Sequence, residues 1–283
     1  MKLITANKLI KSVLLSFSSF IILTSPSHSF ANELVESKKV IFDDLAKAEE
    51  DFIYDNYFTI QQPPTTENVS LMRFVDHPQK FPMPSEPYNR EKHFGGWLHF
   101  ANDNSCLDTR GLVLQRDSKT EVEINSSCRV NSGSWHDDYT AKTYKLASEV
   151  QIDHVVPLKN AYMTGAYEWS DAKKCLYANY MGNTYHLKPV FGSENLRKGD
   201  RSPREYIPPN TAYTCEYLKI WMKIKYIWNL RFTPKEKTRI QEIAAENHCS
   251  PQTFVMTQAE IQEQERFQRE NENICLQNAV IAF

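Results

Sequence analysis

Beyond its first 31 residues the sequence has no stretch approaching the ~20 consecutive apolar residues of a membrane-spanning helix, so no such span is expected there. No two cysteines stand in a C-x-x-C spacing, which excludes a zinc knuckle. Internal repeats and low-complexity tracts are also absent. Positive charge is not in excess: 33 Lys and Arg face 35 Asp and Glu. Bulk charge therefore works against any polyanionic partner, which would need a local basic patch or a metal to hold it.

What is present begins with a targeting pattern. Lys2, Lys8 and Lys11 form a basic start, residues 12–24 are apolar, and Ser29-Phe-Ala31 ends the segment with small residues flanking a larger one. Cleavage is expected after Ala31, leaving a protein in the periplasm or outside the cell with no membrane attachment. Removing those three Lys and no acid turns 33 against 35 into 30 against 35, a net charge of −5. All six cysteines follow the leader, and in an oxidising compartment an even number suggests disulfides. Cys106 with Cys128 and Cys215 with Cys249 are the first expected pairs, since each couple flanks one local unit. Cys175 and Cys275 are left to each other, or one of them is free.

Along the chain, residues 33–57 carry apolar positions at near-helical spacing and predict an amphipathic helix. Proline-rich segments follow up to Pro87. From Trp97 to Val150 the pattern is β, with short runs over residues 111–115 and 120–124. Trp135 and Tyr144 read as core aromatics. Residues 159–180 predict one or two helices broken near Gly165, with Trp169 a packing group or a base-stacking one. Helices are then expected over 213–229, from Pro234 toward Asn247, and over 258–272. The last of these could dock on the domain or meet a protein partner.

The most informative stretch is residues 150–200. Two β-rich runs, 150–158 and 185–190, precede a segment that starts at Gly192-Ser193 and carries Asn195, Arg197 and Lys198, which reads as strand, strand, helix. Asp153 is a hard oxygen ligand suited to Mg²⁺, and Asn195 could supply a second, neutral oxygen. His154 is a side chain able to take a proton from water near neutral pH. Lys198 lies three positions after Asn195, on the same helical face. Arg197, Lys198, Arg201 and Arg204 form a basic cluster suited to phosphate. Because adjacent strand residues point to opposite faces, Asp153 and His154 can share a site only if the strand ends or twists there; Pro157 favours that.

Asp153-His154-Val-Val-Pro157, His186-Leu187 with Pro189, Asn195-x-x-Lys198-Gly199-Asp200 and Pro208-Pro209 resemble the HNH nucleases, in particular their secreted bacterial branch. The likeness extends over Phe94-Gly-Gly-Trp97, Cys106-Leu-Asp-Thr-Arg110, Ser132-Gly-Ser-Trp135 and the helix at Cys215, about residues 90 to 250. It implies an α+β fold with a ββα-metal core, an N-terminal β-hairpin region, inserted helices and flanking helical extensions. The corresponding division is a signal peptide over 1–31, a helix and linker over 32–90, a nuclease domain over 91–250 and a helical tail over 251–283. It also implies Mg²⁺, or Mn²⁺, on Asp153 and Asn195, and His154 as general base. Where many members carry an Asn that orients this histidine, the chain has His186, whose imidazole can make the same kind of bond. Arg110, Arg197, Lys198 and Arg201 are the candidate phosphate contacts.

The expected function is hydrolysis of DNA, or RNA, phosphodiester bonds with little base reading, giving 5′-phosphate and 3′-hydroxyl ends. Activity should be sensitive to chelator and salt, and should fall below about pH 6.5, where an unperturbed imidazole protonates. A non-catalytic HNH-like binding protein is the alternative reading, and a phosphodiesterase acting on small molecules a third. N-terminal sequencing of the exported protein should begin at Asn32; an intact Met1 would overturn the leader reading.

Overall fold

The computed structural model describes residues 57–77, 84–100 and 105–279. The leader and most of the helix expected over 33–57 lie outside the described residues. In chain order the elements are β1 (Tyr57–Ile60), β2 (Val69–Ser70), β3 (Phe74–His77), α1 (Arg90–Phe94), α2 (Thr109–Asp117), β4 (Glu123–Ile124), β5 (Val130–Asp137), β6 (Lys142–Leu146) and β7 (Val150–His154). There follow α3 (Leu158–Met163), α4 (Asp171–Ala178), β8 (Leu187–Phe191), α5 (Gly192–Lys198), α6 (Thr214–Ile227), α7 (Pro234–Glu246), β9 (Val255–Met256), α8 (Gln258–Glu270) and α9 (Ile274–Ala279). The fold is α+β, built from small antiparallel sheets and many helices.

The region before the centre departs from expectation. Residues 111–115 are helical, inside α2. Asp108 caps that helix by accepting from the Gly111 amide, and Thr109, Val113 and Leu114 bury one face. Three apolar residues in a row, Leu112-Val-Leu114, do not distinguish a short buried helix from a strand, so the cap decided the outcome. Gly111 is required where it stands: a Cβ there would come within 2.9 Å of Leu107. The β structure lies instead in the sheet β4-β5-β6, where Trp135 faces Tyr144 across the ladder. Trp135 is fully buried and its indole donates to the Leu114 carbonyl, tying this sheet to α2.

At the centre β7 and β8 pair antiparallel, from Val150 opposite Phe191 to His154 opposite Leu187, and α5 starts at the next residue. Strand, strand and helix thus occur in the order read from the sequence. The first strand stops at His154 because Pro157, with no N–H to give a ladder, stands at the start of α3.

Both ends of the described chain pack onto this centre. Phe58 bridges to Phe232, β2 pairs with β9, and Gln264 of α8 bonds the Tyr180 hydroxyl at 2.9 Å and the Gly182 carbonyl at 3.0 Å. The tail therefore docks on its own domain. The core is rich in rings: Trp221, Trp228, Tyr177 and Tyr217 are sealed between α4, α6 and their neighbours, and Trp169 packs against Tyr177 and Trp228. Lys225 lies fully buried there, donating to Glu236 of α7 and to the Arg231 carbonyl.

Disulfides join Cys106 to Cys128, Cys175 to Cys275 and Cys215 to Cys249, leaving no free cysteine. Cys175–Cys275 closes a loop of 100 residues and anchors the last helix to α4. Replacing both of its cysteines by Ser should lower stability by about 2–4 kcal/mol. A urea melt checks this, and an unchanged midpoint would show that α9 is not held by the bond.

Candidate functional site

Two rungs hold α5 against β7. Gln151 and Asp153 are two apart and share a strand face, while Asn195 and Lys198 are three apart and share a helix face. Asn195 Nδ2 donates to Gln151 Oε1 at 3.0 Å, and Lys198 Nζ donates to Asp153 Oδ1 at 2.9 Å and to the His154 carbonyl at 3.0 Å. The second carboxylate oxygen of Asp153 accepts from the Tyr139 hydroxyl at 2.7 Å. Lys198 is fully buried and Asp153 nearly so. Burial pushes the Asp153 pKa up and the Lys198 pKa down, while their mutual attraction opposes both shifts.

The imidazole of His154 has a different set of neighbours. Its Nε2 lies 2.9 Å from the Ala178 carbonyl at the end of α4. A carbonyl only accepts, so Nε2 carries the proton and Nδ1 keeps a lone pair. No described residue hydrogen-bonds to Nδ1. Trp97 stacks on the ring with centroids 5.4 Å apart and planes 3° from parallel. Burial, the dominant cause, pushes the His154 pKa down to about 3, with Arg90 and Lys198 adding to the effect and the Ala178 carbonyl opposing it. The imidazole is therefore neutral across the whole physiological range, and the acid limit at 6.5 expected from an unperturbed histidine does not apply to the resting protein.

Several expected roles change. His186 does not orient His154: its Nε2 bonds the Tyr177 carbonyl at 2.9 Å, and the two imidazoles stand edge to face at 6.3 Å. The orienting group is the carbonyl of Ala178. Lys198 faces inward, so it is a positioning group and not an exposed phosphate contact. Arg197 turns back onto Glu194 and lies over Tyr206, while Arg201 donates to the Arg197 carbonyl. Arg110 is half-buried, with Nη2 donating to the Ala147 and Val150 carbonyls at 2.9 and 3.0 Å. The sequence held no signal for Tyr139 as the partner of Asp153. A backbone carbonyl such as that of Ala178 leaves none at all.

The residues fit the expected metal only in part. Both oxygens of Asp153 are engaged, and the ammonium of Lys198 stands where a cation on that carboxylate would. Asn195 fits better: Nδ2 is held by Gln151, and Oδ1 makes no hydrogen bond to a described residue. Among the described residues no three His, Cys, Asp or Glu gather as a metal site.

A protein from Arthroderma benhamiae (strain ATCC MYA-4681 / CBS 112371), described as an uncharacterized secreted protein, is 38% identical over 157 residues, which cover 56% of this chain and 74% of that protein. The chain belongs to its family. The family model described as GmrSD restriction endonucleases, C-terminal domain, matches residues 109–243, a span that contains Asp153, His154, Asn195 and Lys198. This region is thus similar to the C-terminal domain of the GmrSD restriction endonucleases. No solved structure matches the chain.

Two outcomes follow from the buried groups. Lys198→Met strands the Asp153 carboxylate and should destabilise by about 3–5 kcal/mol, whereas Lys198→Met with Asp153→Leu should recover much of that loss. A double-mutant cycle in urea reads the difference, and additive losses would show that the pair is not coupled. His186 is also held far below its ordinary pKa by burial. Above pH 6.5 neither folded nor unfolded histidine is charged. As pH falls from 6.5 toward 3, the unfolded chain takes up protons that the folded one refuses, and each such histidine removes up to about 1.4 kcal/mol of stability per pH unit. Between pH 6.5 and 5, His186→Phe should make the stability slope shallower by about one proton; an unchanged slope would mean that His186 is charged in the folded state.

Proposed function

We propose that this chain is a secreted or periplasmic endonuclease of the HNH type, hydrolysing phosphodiester bonds of DNA or RNA with little reading of bases. The observation that carries the proposal is the state of His154, neutral, held through Nε2 by the Ala178 carbonyl and with the Nδ1 lone pair unengaged. It stands within the region similar to the GmrSD C-terminal domain. The secreted relative and the three disulfides support an extracytoplasmic setting.

In this mechanism Nδ1 takes a proton from water as the water oxygen attacks phosphorus, the bond to the leaving 3′ oxygen breaks, and that oxygen takes up a proton from solvent water. Positive charge then appears on the imidazole, where the Nε2–H bond to Ala178 strengthens and the carbonyl end of α4 favours it. The imidazolium finally returns its own proton to solvent. Lys198 holds the main chain at His154, so the ring enters the reaction from a fixed backbone. Where Mg²⁺ or Mn²⁺ is bound, Asn195 Oδ1 would hold it, and the chemistry supplied is neutralisation of charge on the phosphate.

The pH profile tests the base. For kcat/KM, which reports the free enzyme, activity should stay level from pH 7 to about 5 because the His154 pKa is near 3. For kcat the acid limb should lie higher, since a bound phosphate anion raises the imidazole pKa. A limb at 6.5 in kcat/KM would contradict the burial argument. Raised salt should weaken substrate binding.

One observation favours a binding protein instead: Asp153 is committed to Lys198 and Tyr139. A plasmid-nicking assay with Mg²⁺ separates the two readings. Cutting that is lost in His154→Ala and with chelator supports the nuclease. No cutting by the oxidised protein in Mg²⁺, Mn²⁺, Ca²⁺ or Zn²⁺ supports the binder.

A further inference from the structure

An open groove of about 920 Å³ runs along β5 and the ends of α2 and β6, and its lining includes Trp97, Arg110, Arg129 and Ser148. Its position is informative, because the same Trp97 lies flat against His154. One wall of the groove is therefore the residue that backs the candidate base.

The groove also holds cationic groups with donors to give. Nη2 of Arg110 is engaged by two carbonyls, but its Nε and Nη1 make no hydrogen bond to a described residue. Burial works against the charge of that guanidinium, the Asp108 carboxylate offsets only part of the cost, and a further anion beside it would relieve more. Two acids also line the groove, and each has a partner. Asp108 accepts from the Gly111 amide at 2.8 Å, and Glu123 accepts from the Ser132 hydroxyl at 2.8 Å. Arg129 is exposed at the rim.

We propose that this groove is a strand-binding subsite that receives an unpaired nucleotide segment adjoining the phosphate attacked at His154, with its phosphate on Arg110 and Arg129. The assignment rests on the hydrolase reading above and narrows its substrate to single-stranded nucleic acid. A duplex keeps its bases stacked inside and offers a convex ridge of phosphates, whereas a single strand can lay a base and a phosphate together into a concavity. The volume lies in the range of ~300–1,000 Å³ common for ligand sites. An acidic chain lacks the broad positive field that many duplex phosphate contacts would need, but a few local contacts with base packing suffice for a single strand.

The test uses a fluorescein-labelled oligonucleotide, single-stranded or in a duplex of the same sequence. Binding is read by anisotropy in chelator, and turnover is measured with Mg²⁺ on the same strand and on bis(4-nitrophenyl) phosphate. Ser148→Trp fills the groove and Arg129→Glu reverses a rim charge; both positions are exposed and outside the catalytic machinery. Each variant should weaken single-strand binding and raise KM tenfold or more, and Ser148→Trp should leave kcat within twofold and the small diester unaffected. Wild-type binding in both variants would overturn the subsite even where cutting is observed, as would a duplex that binds as tightly as the single strand. Conversely, single-strand binding that both variants lose, in a protein that cuts nothing, supports the subsite while the hydrolase reading fails.

Discussion

The structure at its centre depends on one buried ion pair, Lys198 with Asp153. Taking both charges out of water is costly, and the cost is offset only because each partner is further satisfied: the carboxylate by the Tyr139 hydroxyl, the ammonium by the His154 carbonyl. These bonds draw together the end of β7, the last turn of α5 and the residues after β5. A short helix of seven residues has little stability of its own. Here the pair and the Asn195–Gln151 bond set its position and rotation on the strands.

A second constraint is the end of α4. The last carbonyls of a helix have no partner within it, and two of them, from Tyr177 and Ala178, are met by the Nε2 atoms of His186 and His154. One helix terminus thus sets the tautomer of two buried histidines, and burial keeps both neutral. Cys175 of this helix is bonded to Cys275, and the loop after it is gripped by Gln264. The C-terminal tail, distant in sequence from the candidate site, therefore steadies the element that orients its base.

The arrangement also explains how an acidic chain accommodates a cluster of basic residues at its centre. Lys198 is inside, and Arg197 and Arg201 are turned back on neighbouring groups. Within this segment Lys198 locks α5 in place, while Arg197 and Arg201 stay exposed. Among the described residues, Arg110 and Arg129 line the groove along β5, and both come from elements earlier in the chain.

The sequence by itself determined the order strand, strand, helix and the placing of Asn195 and Lys198 on one helical face, and by locality it pointed to Cys106–Cys128 and Cys215–Cys249 while leaving Cys175 and Cys275 open. Those features follow from period, local spacing and chain connectivity. It did not determine that residues 111–115 are helical, since a short apolar run is ambiguous until a cap and a packing partner settle it. Nor did it assign the partners at the site. Whether a carboxylate meets a cation, a lysine or a tyrosine hydroxyl depends on groups such as Tyr139 and the Ala178 carbonyl, brought there from 14 and 24 residues away. The pKa of His154 follows from burial, and burial exists only once the tertiary structure has closed around the ring.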